Sequence, residues 1–206
     1  MSPTNYRPAS PSDFIGPARR VAQIIDRIVA DSKPTGDPIK ILLNGPPGTG
    51  KTTLANYLHQ RIGSSKWSTL KLNGTSLKIE QAEEIARSLQ FTSMFPEYRY
   101  FQIEEADKMS AQAQVRLLTI IDDLPQNCAI VCTSNCQIDQ FEERFQTRFQ
   151  AFEVLGPEPD EIEALLLTFL GHAPALAKHL AVLCCGNVRQ ALLEAQTALQ
   201  SERLAA

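Results

Sequence analysis

No apolar run in the 206 residues approaches the roughly 20 that a membrane-crossing helix requires, and the N-terminus carries no signal-peptide pattern. These absences set aside a membrane role and lead to the expectation of a soluble, cytoplasmic protein. Charge of one sign is not in excess either. Twenty basic and 23 acidic residues leave a net charge of −3, so the surface is not basic throughout and any nucleic-acid contact is confined to a patch. Cysteine is too sparse for a disulfide framework at this length. Five thiols, two of them adjacent at Cys184 and Cys185, fit a reducing compartment. Cys128, Cys132 and Cys136 are evenly spaced, but residues four apart on a strand lie about 13 Å from one another. That is too far to share one zinc with bonds of about 2.3 Å.

What is present centres on Gly45-Pro46-Pro47-Gly48-Thr49-Gly50-Lys51-Thr52-Thr53. An apolar run, Ile39 to Leu43 broken by Lys40, precedes it, and Leu54, Tyr57, Leu58, Arg61 and Ile62 follow at helical spacing. A strand-to-helix turn is the context that a phosphate-binding loop demands. Glycine admits backbone angles closed to other residues, so amide N–H groups can turn inward on an anion at the positive end of the next helix. Lys51 then supplies a point charge to the β- and γ-phosphates, and the Thr52 hydroxyl is placed to hold Mg²⁺.

Along the chain, residues 1–12 read as an extended lead-in, and Asp13-Phe14-Ile15-Gly16 introduces a helix with Val21, Ile24, Ile25, Ile28 and Val29 on one face. Pro34, Gly36 and Pro38 end it. Further strands are expected at Trp67 to Leu72, Tyr98 to Ile103, Cys128 to Ser134 and Phe149 to Val154. Between them the spacing predicts a helix marked by Ile79, Ala82, Ile85, Ala86 and Leu89. A second, capped by Ser110, would bury Val115, Leu118 and Ile121, and a short one would cover Ile138 to Phe145. Strands alternating with helices imply a parallel sheet of five strands covered on both faces. After Gly156-Pro157-Glu158-Pro159 only helices are readable. The expected organisation is an α/β nucleotide-binding domain over 1–156 and a small three-helix domain over 157–206.

Nucleotide hydrolysis needs a metal, a positioned water and charge compensation at the γ-phosphate. Glu104 and Glu105 end a strand, where ligands bind in open α/β sheets. One can face the Mg²⁺ shell and the other can orient the water; the plain alternative is two solvated acids. Asn135, ending the neighbouring strand, could hydrogen-bond the γ-phosphate or the water. Arg148 or Arg144 could be offered to an adjoining subunit's phosphates, the alternative being a surface ion pair with Glu142 or Glu143. Arg189, in Gly186-Asn187-Val188-Arg189, could reach back to the nucleotide.

Taken together these residues resemble the AAA+ ATPases, and within them the clamp-loader group that includes replication factor C small subunits. Arg7-Pro8 and Asp13-Phe14-Ile15-Gly16 look like that family's N-terminal box near the adenine, which makes Ile15 and Gly16 nucleotide contacts. Gly45 to Thr52 is similar to its Walker A, Glu104 to Asp107 to its Walker B, Asn135 to sensor 1, Arg148 to the arginine finger and Gly186 to Arg189 to sensor 2. Asn73 to Ser76 and Ala113-Gln114 are finer likenesses. Three departures stand out. Glu104 occupies a position where the family has Asp, which implies slower hydrolysis. Thr147-Arg148-Phe149 replaces a Ser-Arg-Cys triplet. The sequence also stops near the third helix of the small domain, without a counterpart of the clamp loaders' collar, so the subunit is expected to assemble differently or to rely on partners.

The resemblance implies an ATP- and Mg²⁺-dependent hydrolase that self-associates, or joins related AAA+ subunits in a ring, and remodels DNA or a DNA-bound protein. Lys108, Ser110 and Arg116 are the DNA-contact candidates. The alternative is a nucleotide-gated switch with little turnover. A polypeptide-threading remodeller would need an aromatic-glycine pore loop, and none is readable between residues 73 and 98. A small-molecule kinase would leave the paired acids, Asn135 and the arginines unexplained.

Overall fold

The computed structural model describes residues 2–77, 79–90, 98–141 and 143–205. Within the interval searched for a pore loop, 73–98, residues 78 and 91–97 lie outside the described residues, as does Glu142. Strands β1 (Ile39–Asn44), β2 (Thr69–Asn73), β3 (Arg99–Glu104), β4 (Cys128–Ser134) and β5 (Gln150–Glu153) form one parallel sheet in the order β2-β3-β4-β1-β5. The helices are α1 (Pro17–Thr35), α2 (Lys51–Ile62), α3 (Ile79–Gln90), α4 (Ala111–Asp122), α5 (Glu143–Gln146), α6 (Pro159–Leu170), α7 (Pro174–Leu183) and α8 (Val188–Ala205). This is the five-stranded α/β fold of the P-loop NTPases, followed by three helices, as the sequence leads one to expect.

The chain crosses the sheet one way from β1 to β2 and the other way from β2 through β3 to β4. With right-handed crossovers, α2 therefore covers one face and α3 and α4 the other. Strand alternation agrees. On β3, Phe101 and Ile103 join Ile85, Leu117 and Ile130 in one buried cluster, whereas the Tyr100 hydroxyl points to α2 and donates to the Ala55 carbonyl at 2.6 Å. α1 ends at Gly36, whose φ of +73° closes the helix with a bond from its N–H to the Ser32 carbonyl at 2.8 Å.

By packing, the chain forms two compact units. One contains the sheet and comprises Ile24–Gly45 and Ala55–Glu153. The other gathers three stretches far apart in sequence: the N-terminal segment to Gln23, the loop Pro46–Leu54, and Val154–Ala206. Its core is built by Ile162, Leu166, Leu170, Ala177, Leu180 and Ala191 of the three C-terminal helices. Tyr6 packs edge-on against Phe169 with ring centroids 5.9 Å apart, and Ser2 hydrogen-bonds Gln196.

Three local expectations are corrected. Trp67 does not begin a strand: it sits in a single 3₁₀ turn, Lys66–Ser68, at 99% exposure, and β2 begins only at Thr69. That turn is closed by bonds from the Ser68 N–H and the Thr69 hydroxyl to the Ser65 carbonyl, which hold the indole outside the ladder. Val115 is 59% exposed, because the buried face of α4 runs through Ala113, Leu117, Leu118, Ile120 and Ile121, and Val115 falls between its turns. The helix expected over Ile138 to Phe145 is divided into a 3₁₀ turn, Ile138–Gln140, and α5. There Phe145 stacks between Phe141 and Phe149, at 5.1 and 4.8 Å. The Ser110 cap is as expected, accepting from the Ala113 N–H at 3.2 Å.

Candidate functional site

In the unit that carries the loop, Gly48 and Gly50 take φ of +80° and +102°. A side chain at Gly48 would collide with the Asn187 amide oxygen. That oxygen also accepts the Gln190 N–H at 3.0 Å, capping α8, and the Arg189 N–H donates to the Gly48 carbonyl at 3.3 Å. The N-terminus of α8 is therefore seated directly on the loop. Lys51 is 7% exposed and donates to the Pro46 carbonyl at 2.6 Å, to which the Thr49 hydroxyl also donates at 3.0 Å.

A cavity of about 390 Å³ opens above the loop. Gly48, Thr49, Gly50, Thr52 and Thr53 form one wall, Arg7, Pro8 and Ile15 another, and Leu165, Val188, Arg189 and Leu192 a third. The loop residues thus share a chamber with apolar side chains from the N-terminal segment and the C-terminal helices, and Arg189 lies in the same chamber. Pro46, Pro47, Lys51 and Gly16 are not among its lining residues; the Gly16 N–H instead donates to Glu161 Oε1 at 3.1 Å, at the start of α1. Gly45, at φ +137°, follows β1 in the sheet unit.

The sheet unit brings the remaining candidates to its strands' carboxyl ends. β1 ends at Asn44, in register with Ser134, one residue before Asn135. β3 ends at Glu104, in register with Asn73. The Glu104 carboxylate accepts from Gln102 Nε2 at 2.8 Å. Glu105 has a left-handed backbone, φ +52°, and its carboxylate pairs with Lys108 at 2.9 Å. That bond raises the Lys108 ammonium above its ordinary pKa. The Gly74 N–H donates to the Glu104 carbonyl at 2.6 Å, and a Cβ on Gly74 would collide with the Glu105 carbonyl, so this glycine permits the close approach of the two strand ends. The Asn135 N–H donates to Asp107 Oδ1 at 3.3 Å.

Arg148 lies elsewhere in this unit. It forks onto Asp122, Nε to Oδ1 at 2.6 Å and Nη2 to Oδ2 at 2.9 Å, and its Nη1 donates to the Arg144 carbonyl at 2.8 Å. The bond lowers the Asp122 carboxyl below its usual range. Its carboxylate partner is thus Asp122, the last residue of α4, where the plain alternative had named Glu143 or Glu142, the latter outside the described residues.

Sequence reasoning assigned no individual role to three residues: Gln102, Asn187 and Asp122. Gln102 had a visible signal, a lone amide inside the apolar run Tyr100 to Ile103. Asn187 had a weaker one, an N-cap residue opening a helical pattern. Asp122 had none, since its partner is 26 residues away.

The donor chemistry fits Mg²⁺. Thr52 in one unit offers a hydroxyl and Glu104 in the other a carboxylate, each a hard oxygen donor of the kind Mg²⁺ takes. Among the described residues there is no group of three or more His, Cys, Asp or Glu that could hold a metal by itself. No helix among them is long and apolar enough to cross a membrane.

Comparison with known proteins gives concordant findings. Residues 41–157 match the family model described as "ATPase family associated with various cellular activities (AAA)". The chain is 27% identical over 172 residues to replication factor C small subunit 1 of Pyrobaculum aerophilum, covering 80% of this chain and 50% of that protein. It is 34% identical over 121 residues to the Holliday junction branch migration complex subunit RuvB of Corynebacterium jeikeium, covering 58% of this chain and 32% of that one. The chain thus spans half the length, or less, of these curated relatives. Among solved structures, the Thermotoga maritima RuvB branch migration motor superposes with a TM-score of 0.73 at 22% identity, over 92% of this chain and 64% of that one, a likeness of fold.

Proposed function

We infer, from a chain that belongs to the AAA family of ATPases, that it binds ATP with Mg²⁺, hydrolyses it at a site completed by a neighbouring subunit, and uses the cycle to remodel DNA or a DNA-bound protein. One observation carries the reading: a single cavity unites Gly48, Thr49, Gly50, Thr52 and Thr53 of the loop with Ile15 and Arg189. The base and ribose occupy its apolar side, and the loop amides and the first turn of α2 receive the phosphates. Lys51 exchanges the Pro46 carbonyl for a phosphate oxygen, a swap of one acceptor for a charged and stronger one. Thr52 and Glu104 are the Mg²⁺ holders, and the ion supplies neutralisation of charge on the phosphate oxygens. Glu105 turns from Lys108 to orient the attacking water, Asn135 holds that water or the γ-phosphate, and Arg189 reads the phosphate state. Arg148 leaves Asp122 to serve the phosphates of the adjoining subunit, as an arginine finger does. The division into a nucleotide-binding domain to residue 156 and a helical lid from 157 belongs to the same reading, with Arg189 as the lid's contact to the nucleotide. Similarity to replication factor C and RuvB subunits supports the DNA assignment and a ring of like or related subunits.

The second reading, a nucleotide-gated switch, is favoured by a specific observation. Both Glu105 and Arg148 are engaged within their own chain, by Lys108 and Asp122. ATP binding and phosphate release, measured with and without forked DNA, separate the two. Lys51→Ala is expected to weaken ATP binding at least tenfold. Glu105→Gln is expected to keep binding and to lose roughly a hundredfold or more in turnover. Two variants that release phosphate as fast as the parent would end the enzyme reading.

A further inference from the structure

Gln102 is 1% exposed, in the middle of a strand whose neighbours Tyr100, Phe101 and Ile103 are also buried. A primary amide in such a place is costly unless its polar atoms are satisfied. Here they are satisfied in a directional way. Oε1 faces the Tyr100 hydroxyl at 3.2 Å, and Nε2 donates to Glu104 Oε1 at 2.8 Å. The single Tyr100 proton is shared between the Gln102 Oε1 and the Ala55 carbonyl of α2, the nearer acceptor at 2.6 Å. Burial, and then the nearby Glu104 carboxylate, push the Tyr100 phenol far above its ordinary pKa, so it remains a donor throughout the working range. Residues 100, 102 and 104 project from the same side of β3. The result is a row of three side chains running from the helix backbone along one strand face to the carboxylate at its end.

Glu104 needs such a support. It has one more torsion and about 1.5 Å more reach than aspartate, so an unsupported carboxylate at the strand end would sample several positions. The Gln102 amide removes that freedom by holding one oxygen and leaves the other available.

We propose that Gln102 is a positioning residue that fixes the Glu104 carboxylate for the Mg²⁺ shell, with Tyr100 and the Ala55 carbonyl as its anchor on α2. The proposal rests on the reading of Glu104 as a Mg²⁺ holder. Partners that orient a metal-holding side chain typically account for ten- to a hundredfold in metal affinity.

The test compares binding of a non-hydrolysable ATP analogue by calorimetry in excess Mg²⁺ and in chelator, which needs no turnover. In Gln102→Leu the affinity gained on adding Mg²⁺ falls about tenfold or more, while affinity in chelator is unchanged. Gln102→Met, closer to glutamine in shape, gives the same result if leucine disturbs the core. In a Glu104→Asp background, whose carboxylate is drawn back from the amide, Gln102→Leu causes no additional loss. An undiminished Mg²⁺ gain in both Gln102 variants, alongside a reduced gain in Glu104→Ala, overturns the role of Gln102 and leaves that of Glu104 standing. An undiminished gain in Glu104→Ala itself removes the metal role of Glu104 and the proposal with it.

Discussion

Gly48 meets two demands at once, a φ of +80° and contact with the Asn187 side chain. Asn187 cannot withdraw without releasing the Gln190 N–H, and so uncapping α8. Gly48→Ala is therefore expected to destabilise the fold by about 1–2 kcal/mol from backbone conformation alone, and to weaken ATP binding at least tenfold. Thermal unfolding and nucleotide titration on the same preparation check both; unaltered affinity would mean that the loop accepts a side chain there. The loop was legible in the sequence because its chemistry is local: nine consecutive residues carry their own backbone requirements. Gln102 and Asn187 were not, because neither has a role until a second element arrives, α2 through Tyr100 in one case and the loop in the other. Glu105 was legible as an acid at a strand end, but its pairing with Lys108 depends on a left-handed backbone that residue type does not announce.

Among the elements, the strands were read most reliably where burial on both faces leaves a continuous apolar run, as in β4, every residue of which is buried. β2 is an edge strand with only partly buried or exposed residues, and its start was misplaced onto Trp67. Aromatic residues favour strands in general, but here a hydrogen-bonded turn decided the matter. The helices were found by period, though the choice of face in α4 needed the sheet against which Ala113, Leu117 and Ile121 pack. The Ser110 cap gives a measurable consequence. Ser110→Ala is expected to cost about 1 kcal/mol, read as a lower denaturation midpoint with an unchanged slope. A midpoint equal to that of the parent would show that the α4 N-terminus is satisfied without the hydroxyl.

For the molecule as a whole, the intersubunit role proposed for Arg148 stands in competition with its pair to Asp122. The Asp122 carboxyl is lowered by its bond to Arg148, so the pair is fully formed above the ordinary carboxylate pKa of about 4 and is lost only as pH falls through the lower folded value. Acid therefore does not separate the pair in any working range; in the proposed finger role a phosphate would have to compete with Asp122 for the arginine. Asp122→Asn removes the competing charge. It should lower the protein concentration at which ATP and Mg²⁺ bring about self-association, and at which turnover per chain becomes half-maximal. Exposed ion pairs are weak, so the change should be a few-fold. Light scattering across a dilution series measures it, and an unshifted or raised threshold would remove Arg148 from the intersubunit role.

The unit that carries the phosphate loop is stitched from the beginning, middle and end of the chain, with Tyr6 against Phe169 and Ser2 against Gln196. On a translating ribosome, which adds about 5–20 residues per second, the first of these segments must wait for the last. Until α8 emerges, Phe14 and the loop have no finished pocket to enter. The cavity above the loop is thus complete only once α8 has been synthesised, on the order of ten seconds or more after the N-terminal segment.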